Sequence, residues 1–250
     1  MKYKLLCLDI DETLITDGSY KMTPVLYDAL QLASEKVYIS FITARSLNPF
    51  KQFLETSGIE NKYHVVENGA KIINPKGEIV KDLHIPHAQV QKIIDVTANF
   101  YLEVGILSDN HWRDNIAKVD TDFAVTGLSL TFKDIQSADK SEEIIDKLDE
   151  KFAVYHGMHW TDNPGWRAIL IFHKDATKGN GMEYIQKKLN ISKKETIAIG
   201  DGMTDLSMFD RAGLKVAMEN GEVELRSRAD CVCQSVQKDG VAKALSKYII

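Results

Sequence analysis

The feature that most constrains this chain occurs twice: an apolar run that stops abruptly in a cluster of carboxylates. Residues 4–8 empty into Asp9-Ile10-Asp11-Glu12-Thr13, and residues 196–199 into Gly200-Asp201-Gly202-Met203-Thr204-Asp205. Short apolar runs without polar alternation read as strands covered on both faces, the kind found in parallel sheets. In an open parallel sheet, ligands gather outside the carboxyl ends of the strands. Both acidic clusters therefore fall where such a sheet does its chemistry.

The neighbouring sequence fits that architecture. A helix over 24–34 carries Val25, Leu26, Ala29, Leu30 and Ala33 at helical spacing, with Thr23 as N-cap and Pro24 at the first helical position. A strand over 37–42 ends in Thr43-Ala44-Arg45, and a helix over 47–56 stops at Gly58. Val65-Val66 then reads as a third strand, followed by Glu67-Asn68-Gly69-Ala70. From Lys178 the same rhythm returns, with helices over 179–189, 203–212 and 241–248 and strands over 196–199 and 214–217.

The middle of the chain does not alternate in this way. Helices are expected over 88–100 and 141–152, the second with Glu142-Glu143 in its first turn, where acidic groups suit the helix dipole. Strands are expected over 102–107, over 123–132 with turns around Gly127, and over 153–157 and 167–172 around Asp162-Asn163-Pro164-Gly165. The expected fold class is α/β: a Rossmann-like parallel-sheet core from 1–79 and 173–250, with an inserted α+β cap domain over 80–172.

Composition narrows the partners. The chain has 250 residues, 44% hydrophobic and 27% charged, with a net charge of −5, which suits a soluble globular protein and argues against nucleic acid as a partner. Lys187-Lys188 and Lys193-Lys194 are separated by Leu189 and Ile191 and read as a solvated helix end. No run approaches membrane-spanning length, and the apolar stretch before Asp9 is too short for a secretory signal. The cysteines, Cys7, Cys231 and Cys233, have no disulfide-framework or zinc spacing, so Cys231-Val232-Cys233 reads as a buried structural stretch. A cytoplasmic protein follows, without membrane partners and acting as a monomer or small homo-oligomer.

Two carboxylates as close as Asp9 and Asp11 repel unless one is protonated or a cation lies between them, an arrangement that suits a divalent metal with oxygen ligands. An acidic turn is the alternative for that motif alone. Helix capping and a helix-dipole role are the alternatives for Asp201 and Asp205. Capping does not explain why both clusters follow strands of one sheet, which favours a shared metal site. Thr43 ends the second strand and offers a hydroxyl to a phosphate oxygen, whereas Lys178 stands just before a helix. Each alone is equally a structural residue.

Taken in order, Asp9 to Thr13, Thr43, Lys178 and Gly200 to Asp205 resemble the four motifs of the haloacid dehalogenase superfamily over essentially the whole chain. Glu67-Asn68-Gly69-Ala70, Val216-Ala217-Met218-Glu219-Asn220 and the insertion between the second and third motifs are similar to the Cof-type (subfamily IIB) sugar-phosphate phosphatases. Glu12 departs from the pattern, standing where many relatives have Gly, and so does Thr204, where Asn is usual.

The resemblance implies a Mg²⁺-dependent phosphatase acting on a small phosphorylated metabolite through an aspartyl-phosphate on Asp9. It implies Asp11 as general acid and base, and Mg²⁺ held by Asp9, the Asp11 carbonyl and Asp201, with Asp205 in support. Thr43 and Lys178 would hold the phosphoryl group, Arg45, Asn68 and Gly69 would add polar contacts, and the insertion would act as a lid. His111, Trp112, Arg113, His159, Trp160, Trp166 and Arg167 of the insertion are candidates for touching a sugar, or ordinary surface, turn and core residues. The same motifs accommodate a phosphotransferase or phosphomutase of the phosphomannomutase type, or a phospho-metabolite binding protein.

Overall fold

A computed structural model describes residues 2–16, 19–114, 123–158 and 165–250. The chain divides into two compact units, one of Met1–Lys81 with Thr177–Ile250 and one of Asp82–Ala176.

The first unit opens with β1 (Leu5–Leu8), α1 (Pro24–Ser34), β2 (Tyr38–Phe41), α2 (Leu47–Ser57), β3 (His64–Val66), β4 (Lys71–Ile73) and β5 (Ile79–Asp82). The second carries α3 (His87–Thr97), β6 (Glu103–Ser108), β7 (His111–Asp114), β8 (Val125–Phe132), α4 (Ile135–Asp146), β9 (Phe152–Met158) and β10 (Arg167–His173). The chain returns to the first unit through α5 (Lys178–Leu189), β11 (Thr196–Gly200), α6 (Leu206–Phe209), β12 (Leu214–Met218), α7 (Val223–Ser227), β13 (Cys231–Cys233) and α8 (Gly240–Tyr248).

The main sheet of the first unit runs β13-β12-β11-β1-β2 with parallel pairings throughout. β1 is fully buried, and its alternate residues serve two cores. Leu6 and Leu8 pack with Leu26 and Leu30 of α1 and with Leu245 of α8, whereas Leu5 and Cys7 pack with Met182 and Ile185 of α5 and with Phe209. Apolar cover on both faces is why the strands show no polar alternation. Thr23 caps α1 by accepting the amide of Leu26 at 3.1 Å.

The second unit is α+β. Its sheet, β7-β6-β8-β10-β9, is antiparallel in every pairing. Val90, Ile93 and Ile94 of α3 and Ala138 and Ile145 of α4 join a core with Ile106, Leu128, Leu130 and Ile169.

Several expectations are corrected. β3 does not extend the main sheet: it pairs antiparallel with β4 in a separate sheet, β3-β4-β5, and touches the main one through a single parallel bridge, Ile42↔Val65. Gly127 lies inside β8, in register with Leu107 and Phe172, and makes no turn. The helix expected over 141–152 begins at Ile135, because the Asp134 carboxylate accepts the Ser137 amide at 2.8 Å and sets the N-terminus there; Glu142 and Glu143 fall in its second half. The helix expected over 203–212 is a 3₁₀ turn at Met203–Asp205 followed by the short α6. Cys231 and Cys233 lie on the edge strand β13, only partly buried and unbonded to each other.

Asp162, Asn163 and Pro164 of the expected turn, with His159 and Trp160, lie outside the described residues. Among the described residues, no helix is long and apolar enough to cross a membrane.

Candidate active site

The carboxyl ends of β1 and β11 lie side by side in the sheet, Leu8 in register with Ile199, so Asp9 and Asp201 leave adjacent strands at one edge. Asp9 is anchored by its own amide, which donates to the Ile199 carbonyl at 3.0 Å. β2 flanks β1 on the other side, with Leu8 in register with Phe41, which brings Thr43 to the same end. Lys178 begins α5, with Thr177 as N-cap.

The Lys178 ammonium lies 2.7 Å from Asp9 Oδ1 and 2.7 Å from Asp205 Oδ1, and all three side chains are buried. The other oxygen of Asp205, Oδ2, accepts the amides of Asp201 at 2.9 Å and Gly202 at 3.0 Å. Gly200 is required here, since a Cβ at that position would stand 2.4 Å from Asp205 Oδ2. Asp201 Oδ1 accepts the Thr13 hydroxyl at 2.9 Å. Carboxylate oxygens of Asp9, Asp201 and Asp205 all lie within 4.8 Å of one another.

Three carboxylates share one ammonium. Burial, followed by the Asp205 charge, pushes Asp9 well above the usual carboxylate range. The same two causes push Asp201 up to about 7. Burial alone would lower Lys178, but its two carboxylate partners outweigh that and hold it protonated.

This surplus of negative charge is what a divalent cation relieves, and the donor set is all oxygen, as Mg²⁺ prefers. Both oxygens of Asp205 already have partners, so the residues fit such an ion through Asp9 and Asp201, with Asp205 acting behind them by holding Lys178 and the 201–202 backbone.

The other predicted residues fall close by or into supporting roles. Asp11 is partly exposed and clamped by Arg45, whose Nε lies 2.9 Å from Oδ2 and whose Nη2 lies 2.5 Å from Oδ1. Nη2 also donates to the Ser19 carbonyl at 2.9 Å, and the guanidinium lies over the Tyr20 ring at 5.1 Å. Thr43 is fully buried, with its hydroxyl oxygen accepting the Arg45 amide at 3.1 Å. The Asn68 amide donates to the Thr43 carbonyl at 3.0 Å, which puts the Asn68–Gly69 turn against the second motif.

Within the insertion, Arg113 reaches Ser108 and Asp109, and Arg167 donates to the Trp166 carbonyl. The His111 ring lies 2.8 Å from the Asp109 carbonyl.

Three contributors were not singled out from the sequence. Thr13 was part of a motif without a role, yet it is the hydroxyl partner of Asp201. Asn220 donates to the Glu12 carbonyl at 2.8 Å and accepts the Val236 amide at 3.1 Å, pinning the first-motif loop. Ser207 accepts the Gly179 amide at 2.9 Å and so holds the start of α5. Only Thr13 and Asn220 carry a sequence signal, their places in the Asp9–Thr13 and Val216–Asn220 motifs.

Residues 6–245 match the family of haloacid dehalogenase-like hydrolases. The chain belongs to that family. It is an enzyme, a phosphoric monoester hydrolase. Among curated relatives, it is 26% identical to the 5-amino-6-(5-phospho-D-ribitylamino)uracil phosphatase YcsE of Bacillus subtilis (strain 168), over 99% of this chain and 96% of that protein. Among solved structures, a haloacid dehalogenase-like hydrolase from B. subtilis superposes with a TM-score of 0.83 at 18% identity, covering 99% of this chain and 100% of the other. The subclass IIB sugar phosphatase BT4131 superposes with a TM-score of 0.79 at 20% identity, with the same coverage.

Proposed function

We propose that this hydrolase is a Mg²⁺-dependent phosphatase of small phosphorylated metabolites, with sugar phosphates as the substrate class, working through an aspartyl-phosphate on Asp9. The observation that carries the reading is the Asp9–Lys178–Asp205 arrangement. A buried carboxylate at a strand end has one oxygen held by an ammonium that a second carboxylate fixes in place. Such a carboxylate is oriented for attack and cannot swing away. The names of relatives, phosphatases acting on phosphorylated small molecules, support a small phosphorylated metabolite as the substrate.

Attack of an anionic carboxylate on an anionic ester needs charge cancellation. Asp9, the Asp11 carbonyl and Asp201 would hold Mg²⁺, which when bound supplies positive charge against the phosphoryl oxygens. Lys178 adds a fixed positive charge beside Asp9, and the Thr43 hydroxyl donates to a phosphoryl oxygen. Asp9 forms the new P–O bond in line as the bond to the leaving oxygen breaks. Asp11, as the acid, gives its proton to that oxygen. As the carboxylate, it then takes a proton from the water that attacks phosphorus, which breaks the bond to Asp9 and frees phosphate.

The test is phosphate release from a panel of sugar and other metabolite phosphates, with Mg²⁺ and with EDTA, for wild type and Asp9→Asn. Release that requires Mg²⁺ and vanishes in the variant is the expected result. A wild type that releases no phosphate from any ester would overturn the reading.

A further inference from the structure

The turn that joins β3 to β4 in their antiparallel hairpin is built from left-handed residues. Glu67, Asn68 and Gly69 all have positive φ, at 52°, 56° and 106°. Only the last is glycine; the other two adopt a conformation that residues with a Cβ disfavour. Strain of this kind persists where surrounding contacts over-determine it, and it clusters at functional sites.

The contacts that impose it are specific. The Glu67 amide donates to the Arg45 carbonyl at 2.9 Å, and the Asn68 amide donates to the Thr43 carbonyl at 3.0 Å. Gly69 presses on the third motif: a Cβ there would stand 2.3 Å from the Thr177 carbonyl oxygen, one residue before Lys178. The turn thus touches the backbone carrying Thr43 and the backbone carrying Lys178.

The turn is held by a buried charge that the reaction does not use. The Glu67 side chain is fully buried; its Oε1 accepts from Lys71 Nζ at 3.2 Å and from the Leu47 amide at 3.4 Å. Lys71 is buried as well. A buried ion pair is a costly way to add stability, and a hydrophobic pair of similar volume often serves as well.

We propose that Glu67, paired with Lys71, is a positioning residue. Its carboxylate holds the left-handed turn closed, so that Asn68 and Gly69 keep Thr43 and Lys178 at the spacing one phosphoryl group requires. This rests on the phosphatase reading above and extends it to a residue pair outside the four motifs.

The experiment uses the full chain with Mg²⁺. Glu67→Gln alone takes the Glu67 charge away from the buried Lys71 ammonium and is prone to unfold, so the paired variant Glu67→Gln/Lys71→Met is compared with wild type. Three quantities are measured: Tm, competitive inhibition by inorganic phosphate, and hydrogen exchange of the 66–70 amides. The expected result is a folded variant whose Tm lies within a few degrees of wild type. Its 67–69 amides lose protection, and its phosphate Ki and ester KM both rise at least about tenfold. Restoring the carboxylate as Glu67→Asp in the wild-type background recovers part of the phosphate affinity.

Unchanged Ki and KM in a folded paired variant would overturn the positioning role while leaving the phosphatase reading intact. Absence of any hydrolysis by wild type would overturn both.

Discussion

His64 closes the outer edge of β2 by accepting the backbone amide of Phe41 at its Nδ1, 3.1 Å away. Phe41 N–H can only donate, so Nδ1 is bare. Nε2, 3.0 Å from the Ile59 carbonyl, must then carry the proton. The ring is fully buried and stacks on Phe41 at 5.3 Å, so only the neutral form satisfies both contacts.

The consequence is acid sensitivity. Burial pushes His64 from the ordinary 6.5 down to about 4. Between those values the unfolded chain binds a proton at His64 that the folded chain refuses, so the His64 contribution to stability is fully present above 6.5 and is lost as pH drops towards 4. The difference corresponds to about 3 kcal/mol. Asp9 and Asp201, whose carboxyls are raised, gain protons and stability over the same interval, so the His64 effect is read as a difference. Urea unfolding at intervals from pH 7 to 4.5 should show wild type losing stability relative to His64→Gln as pH falls. Equal slopes in the two proteins would count against the assignment.

Asp9 and Lys178 should respond oppositely in stability and alike in function. Asp9→Asn removes a crowded carboxylate, so with EDTA its Tm should rise by a few degrees, at roughly 2–4 °C per kcal/mol for a chain of this size. Lys178→Met leaves three carboxylates facing one another, and its Tm should fall, with a loss of about 3–5 kcal/mol. Both variants should lose more than 99.9% of turnover. Differential scanning calorimetry together with phosphate release distinguishes the cases, and a destabilised Asp9→Asn would contradict the charge surplus described above.

Glu12 occupies the left-handed region at φ 55° without being glycine, and its carbonyl is held there by Asn220. Glu12→Gly should therefore be more stable than Glu12→Val by at least about 1 kcal/mol, since a β-branched side chain fits that conformation worst. Chemical denaturation of the two variants measures the gap directly. A Val variant as stable as the Gly variant would mean the loop is free to adopt another conformation.

Arg45 grips Asp11 at two points, so its removal should be felt in the proton transfer to the leaving group. Arg45→Met should lose at least about tenfold more kcat on an alkyl phosphate than on 4-nitrophenyl phosphate, whose leaving group needs little protonation. A uniform loss across both esters, carried in KM, would instead assign Arg45 to substrate binding.

Sequence alone determined which segments are buried on both faces and which strands end in carboxylates. β1 and β11 have no polar alternation because both faces of the sheet are covered, and that signature is local. The same locality made Thr23 legible as the α1 cap, and it made the motif order Asp9, Thr43, Lys178, Asp201 visible as a set.

Tertiary structure decided the pairings that join distant segments. β3 looked like another strand of the main sheet, because a three-residue apolar run says nothing about its partner; a left-handed turn and β4 gave it an antiparallel one. The start of α4 was set by the Asp134 side chain reaching a backbone amide, a contact that apolar periodicity does not register. The Lys178 bridge between Asp9 and Asp205, the Arg45 clamp on Asp11 and the buried Glu67–Lys71 pair under the site depend on directions in space. Spacing along the chain places the charges at one end of a sheet, but only the folded backbone determines which oxygen meets which nitrogen.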